Sequence, residues 1–269
     1  KMFFPIYTGL ICPKCCSAWK WNNKKIAYPS YQEFGYLYPS QFTPNKSVVE
    51  KYGIDTSKTY FLIRFAKLTA HHDVGIHGMN TQIAEHVVEL LKPHGQIYIT
   101  SERELEPQFE PYRIRINPLD MHHVMAFASL YIGDSQTMAA EAGVLGTPFV
   151  RFNDFVGRLS YIHELEYPTD YTPRKDGYVP FVDKHVPDDL HYCLGYGHKT
   201  ADVEGFYRSI EKWMAEPNRK EICAERRERM LSDKIDYARY LTWFIENYPA
   251  SQQETRENQE NAAFWAKFK

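Results

Sequence analysis

Asp134 and Ser135 follow a short apolar run in YIGDSQTMAAEAGVLGTPFVRF, the stretch from Tyr131 to Phe152, and Glu141 stands among alanines farther on. Ser135 is a good N-cap. A helix opening there presents free N–H groups, with Gln136 and Thr137 supplying the next amides, and a partial positive charge suited to an anion. Ala139, Ala140 and Ala142 let a ligand approach the helix closely. Glu141, about one and a half turns in, can accept from a pair of sugar hydroxyls. The competing reading is a plain cap with Glu141 in solvent, because capping is common.

Other polar residues fall at the ends of apolar runs. His71, His72 and Asp73 lie in a Gly-bounded loop after YFLIRFA. An imidazole there can act as acid or base, or donate to a phosphate. The alternative is a loop capped by Asp73 with both rings in solvent. Ser101 and Glu102 follow QIYIT and can meet a base or a sugar. Arg151, at the end of FVRF, is placed for a phosphate or a carboxylate. Arg64 sits inside an apolar strand and needs a partner, either an acid such as Glu102 or a ligand. His122 and His123 open a helix, one as packing and one as a cap. Asn153, Asp154 and Arg158 begin a long loop that can close over a ligand.

The elements that must position these residues alternate. YFLIRFA (Tyr60–Ala66) reads as a doubly buried strand. NTQIAEHVVELL has apolar residues at Ile83, Val87, Val88 and Leu91, a helical spacing that Lys92-Pro93 ends. QIYIT, YRIRI (Tyr112–Ile116), SLYIG and FVRF read as further strands, and MHHVMAFA as a short helix. Gly146 closes the Ser135 helix, with Pro148 beyond. This alternation predicts an α/β fold, a parallel sheet covered by helices on both faces. Ligands then bind at the carboxyl ends of the strands. Residues 1–45 read as a strand-poor connector, 46–217 as a Rossmann-like domain, and 218–269 as a helical tail with a polar end. Residues 153–198 read as loop, rich in Tyr, Pro, Asp and Gly.

Composition bounds the function. A chain of 269 residues, 43% hydrophobic, can bury a large core. A net charge of −2 argues against nucleic acid as a partner, which calls for a basic face. No apolar run reaches the length of a membrane span, which leaves peripheral membrane association open. The start, KMFFPIYTGLICPKCC, has a short apolar part interrupted by Pro5 and a single Lys, so it reads as a strand entered mid-chain rather than a signal peptide. Cys12, Cys15 and Cys16 are half of a zinc pattern whose other half is missing, and reduced structural thiols are the favoured reading. An odd count of five scattered cysteines suits the cytoplasm.

The segment GDSQTMAAEAGVLGTPFVRF resembles the donor-binding segment of GT-B-fold proteins, above all the non-hydrolysing UDP-N-acetylglucosamine 2-epimerases. Those carry Asp-Ser, five residues, Glu-Ala, then Leu-Gly-x-Pro. Here the matches are Asp134-Ser135, Glu141-Ala142 and Leu145-Gly146-Thr147-Pro148. Together with IAYPSYQEFGYLYPSQFTP, IRFAKLTAHHDVGIHG and IYITSERELE, the chain is still more similar to an uncharacterised prokaryotic GT-B-like family, from about Lys24 to Tyr167. The resemblance implies that Ser135 meets a UDP diphosphate and Glu141 the ribose. It covers only the second half of a GT-B protein. The epimerases carry a His-Arg pair where this chain has Thr69-Ala70-His71-His72-Asp73. The resemblance further implies a UDP-type nucleotide-sugar donor as substrate, no separate cofactor or metal, a saccharide acceptor, and work in surface-polysaccharide synthesis. The alternatives are a hydrolysing 2-epimerase and a nucleotide-sugar-binding or assembly subunit without chemistry.

Overall fold

A computed structural model of the chain describes residues 6–16, 18–67, 77–157, 160–168 and 191–269. Two short strands come first, β1 (Leu10–Pro13) and β2 (Lys25–Tyr28), paired in parallel. The expected strand-poor connector therefore contains a small sheet. Its strands are four residues each, and β1 is only half-buried, so the apolar signal in sequence is short. A 3-10 turn, Gln32–Gly35, and helix α1 (Lys46–Glu50) lead into the main sheet.

That sheet has five parallel strands: β3 (Tyr60–Phe65), β4 (Gln96–Ser101), β5 (Leu130–Gly133), β6 (Phe149–Phe152) and β7 (Gly195–His198). Their spatial order is β4-β3-β5-β6-β7. Between them run α2 (Thr81–Leu91), α3 (Met121–Phe127), α4 (Gln136–Leu145) and α5 (Ser160–Leu165), and α6 (Val203–Ala215) follows β7. α2 packs on α6, whereas α3 and α5 pack on α4. The chain leaves β3 for β4 on one side and reaches β5 on the other. This is the doubly wound, Rossmann-like α/β arrangement, with a switch point between β3 and β5. Phe61, Leu62, Ile63, Ile99, Leu130, Ile132, Phe149 and Val150 are all buried, as strands covered on both faces must be.

YRIRI is not a strand. Only Arg113 bridges to Ile99, because Pro107 to Tyr112 form a 3-10 turn that brings the chain to β4 at one point. The region read as loop supplies α5 and β7. β7 is GYGH, with no apolar run. Gly195 lets it lie against β6, where a Cβ would sit 2.5 Å from the Phe149 ring. Gly146 closes α4 at φ +78°, a left-handed position that glycine adopts without cost.

The remaining helices are α7 (Arg219–Asp233), α8 (Tyr237–Glu246), α9 (Ala250–Glu257) and α10 (Ala262–Trp265). A second core joins them to the start of the chain. Ile26 and Tyr28 of β2 pack with Ile235, Tyr240, Phe244, Phe264, Trp265 and Phe268. Among the described residues, no helix is long and apolar enough to cross a membrane. Nor does any group of three or more His, Cys, Asp or Glu among them fit a metal ion.

Candidate functional site at the carboxyl edge of the sheet

β3 and β5 end side by side at the switch point, with Arg64 in register with Gly133. Asp134 follows β5 and is buried. Its Oδ1 accepts from the Ala66 amide at 2.6 Å, and the Met79 amide also donates to its carboxylate. Gly78 lies so close that a Cβ there would be 2.5 Å from Asp134 Oδ2. Asp134 thus ties the chain on both sides of residues 68–76 to β5. Burial pushes its carboxyl up to about 6 despite these amide donors. Asp134 is a positioning residue whose carboxylate is committed to these backbone amides. His71, His72 and Asp73 lie outside the described residues, as does Arg158.

Ser135 caps α4, its Oγ accepting from the Met138 amide at 3.4 Å. The amides of Gln136 and Thr137 belong to the first turn and have no intrahelical acceptor. Thr137 is exposed. The Gln136 side chain turns back, accepting from Arg151, while its Nε2 is buried without a partner among the described residues.

Arg151 departs from its expected role. It is fully buried, with Nε 2.5 Å from Glu166 Oε1, a second nitrogen 3.0 Å from Glu166 Oε2, and the third on Gln136. A guanidinium so enclosed is held by its carboxylate and does not face a phosphate. Ser101 is likewise spent locally, its Oγ donating to Arg103 O at 2.7 Å. Glu102 pairs with Arg64, the structural alternative for that arginine, and accepts from the Lys67 amide at 3.2 Å. Burial works against the charged form of Glu102, but these two donors hold its carboxyl below its ordinary value. Asn153 donates to Asp134 O at 2.8 Å. Asp154 accepts from Thr200 Oγ1 at 2.5 Å and from the His77 amide at 3.0 Å, linking the ends of β6 and β7 to the chain entering α2.

Glu141 is 8% exposed. Its Oε1 accepts from the Tyr36 hydroxyl at 2.9 Å and lies 3.1 Å from His122 Nε2. Helices in this arrangement run back from the carboxyl edge, so His122, at the start of α3, arrives beside the second turn of α4. His123 is the cap of the pair, with Nδ1 accepting from the Asn45 amide at 3.1 Å. Sequence reasoning missed Tyr36 and the role of His122. The Tyr-rich turn YQEFGY held the signal, without saying which acid it meets.

The same turn brings Glu33 into the molecule. Glu33 is 4% exposed, its Oε1 accepts from Tyr161 at 3.1 Å, and its Oε2 has no partner among the described residues. Burial pushes its carboxyl up to about 7; the Tyr161 hydrogen bond opposes this and the charge of Glu141 adds to it. In the unfolded chain Glu33 titrates near its ordinary value of 4.5. Between that value and about 7 the folded chain holds the proton and the unfolded chain does not. The contribution of Glu33 to stability is therefore full below 4.5 and declines as pH rises through 7. Urea melts of Glu33→Gln should show a flatter pH dependence than wild type across that window. Identical slopes would mean that Glu33 is not buried as its protonated form.

A cavity of about 350 Å³ lies between α2 and α6, lined by Leu90, His94, Ile210, Glu211, Met214 and Ala215. It is at the amino end of the sheet, opposite the switch point, and shares no residue with the site above.

Comparisons with known proteins give likenesses of fold. No protein-family model and no curated protein matches the sequence. Among solved structures, a variant of the wall teichoic acid polymerase TagF has a TM-score of 0.46 and 12% identity, covering 93% of this chain and 58% of that one. The spinosyn rhamnosyltransferase SpnG, complexed with spinosyn aglycone, has a TM-score of 0.42 and 11% identity, covering 77% and 49%. The calicheamicin glycosyltransferase CalG4 has a TM-score of 0.40 and 14% identity, covering 71% and 42%. This chain thus spans between 42% and 58% of the length of those chains. The chain itself is a Rossmann-like α/β domain, with the first turn of α4 following directly on the carboxyl end of β5.

Proposed function

We propose that this domain binds a UDP-type nucleotide sugar as the donor half of a GT-B-type glycosyltransferase or sugar epimerase, in surface-polysaccharide synthesis. The observation that carries the reading is the juxtaposition at the switch point. The first turn of α4 follows the carboxyl end of β5, and the carboxylate of Glu141 stands farther along the same helix. The amides and dipole of α4 would take the diphosphate and stabilise it as a leaving group. Glu141 would take the ribose hydroxyls, as the resemblance of its motif implies. The sugar would then lie beyond the carboxyl end of β3, and His71, His72 and Asp73, which follow that strand in sequence, are the candidates for proton transfer. A saccharide acceptor would approach from the side of the crevice that this domain leaves open.

Titration calorimetry with UDP on the full chain tests the reading. Wild type should bind saturably. Glu141→Gln should weaken binding by about 10- to 100-fold, the range for losing hydrogen bonds to a charged acceptor. A wild-type chain that takes up no UDP at millimolar concentration would sink the proposal. Turnover of UDP-N-acetylglucosamine by a chain that binds UDP separates an enzyme from a binding subunit, and product analysis separates transfer from epimerisation.

A further inference from the structure

Glu141 already has a tenant. Tyr36 and His122 both approach Oε1, at 2.9 Å and 3.1 Å, so Oε2 is the atom left to a ligand. The two are held differently. His122 sits on α3, at 23% side-chain exposure, with its ring 5.6 Å from that of Tyr36 and 6.1 Å from that of Phe42. Tyr36 comes from the turn after Gly35, and it is 41% exposed. Its neighbours Tyr31, Phe34 and Leu37 are fully buried, so the turn is anchored while the Tyr36 ring can leave its seat. A carboxylate can take a vicinal diol through both oxygens, one hydroxyl on each. The second hydroxyl of such a diol needs the lone pair on Oε1 that the Tyr36 hydroxyl now uses.

We infer that Tyr36 is a specificity-determining residue for a ligand carrying a vicinal diol: its hydroxyl stands in for one ligand hydroxyl on Glu141 and is displaced by it, while His122 keeps the carboxylate oriented. The inference rests on the reading of Glu141 as a ribose contact and adds a competitor inside the site. The competition sets a threshold. A ligand offering two hydroxyls replaces the lost tyrosine bond, whereas a ligand with one hydroxyl binds through Oε2 and leaves Tyr36 in place.

The experiment compares UDP with 2′-deoxy-UDP on wild type, Tyr36→Phe and Glu141→Gln, by calorimetry on the full chain. Tyr36→Phe removes the competing hydroxyl and keeps the ring. It should tighten UDP by about 2- to 10-fold, the worth of one hydrogen bond, and leave 2′-deoxy-UDP within about twofold. Equal tightening of both ligands, or weaker UDP binding by Tyr36→Phe, would overturn the inference. If Glu141→Gln still weakens UDP in that case, the reading of Glu141 survives alone. If wild type binds neither ligand, both fall together. A thermal melt of Tyr36→Phe within a few degrees of wild type assigns the affinity change to the site rather than to unfolding.

Discussion

Arg151→Ala is expected to destabilise the fold by about 3–5 kcal/mol, because it leaves the Glu166 carboxylate buried without its cation. Glu166 is 1% exposed and accepts two of the arginine nitrogens. Removing both charges at once should cost much less, since the desolvation of the pair disappears with it. A urea series on Arg151→Met, Glu166→Leu and the Arg151→Met/Glu166→Leu double variant gives the coupling directly, with Arg151→Ala measured beside it. If the double variant is as damaged as the singles added together, the pair is not a closed electrostatic unit. The same series bears on the site. Arg151 holds the side chain of Gln136 in the first turn of α4, so single variants should also weaken UDP binding in any fraction that stays folded.

Trp265→Ala should cost about 3–5 kcal/mol, the usual range for emptying a large aromatic from a core. Trp265 is 6% exposed, its ring is 5.4 Å from that of Tyr240, and its Nε1 donates to Gln259 O at 3.0 Å. The hole would open in a cluster of Tyr28, Tyr240, Trp243, Phe264 and Phe268 that has few aliphatic side chains to flow into it. Near-UV circular dichroism and a urea melt check this. A loss below about 1 kcal/mol would show that the end of the chain is a loosely attached tail, as its polar composition suggests.

The parts that sequence reasoning reached are those whose signal is local. β3 to β6 are short runs of Val, Ile, Leu, Tyr and Phe bounded by polar loops, and α2 and α4 carry their own caps and stops in Asn80, Ser135 and Gly146. Doubly buried strands leave this trace because both faces must be apolar. β7 left none, since Gly195 and Gly197 are chosen by the neighbours that press on them, Phe149 and Glu166. YRIRI left a false one. Its alternation marks a segment that touches β4 at a single bridge. In the site, the helix mouth at Ser135 and the near-burial of Glu141 were legible from types and spacing. The partners of Glu141 were not, because Tyr36 lies 105 positions away and a hydroxyl–carboxylate bond has no periodicity. Arg151 was placed at the right strand end and given the wrong neighbour. A strand-end arginine looks the same in sequence whether it meets a phosphate or a glutamate fifteen residues on.

The shared aromatic cluster has a consequence for biogenesis. β2 leaves the ribosome well before Phe264, Trp265 and Phe268, the residues it packs against. Its apolar side chains must wait, uncovered, while the intervening sheet is made and folds around its own strands. Synthesis therefore leaves this sticky strand exposed until those residues are made. A nascent chain stalled before α10 should recruit hydrophobic-surface chaperones that the finished protein releases.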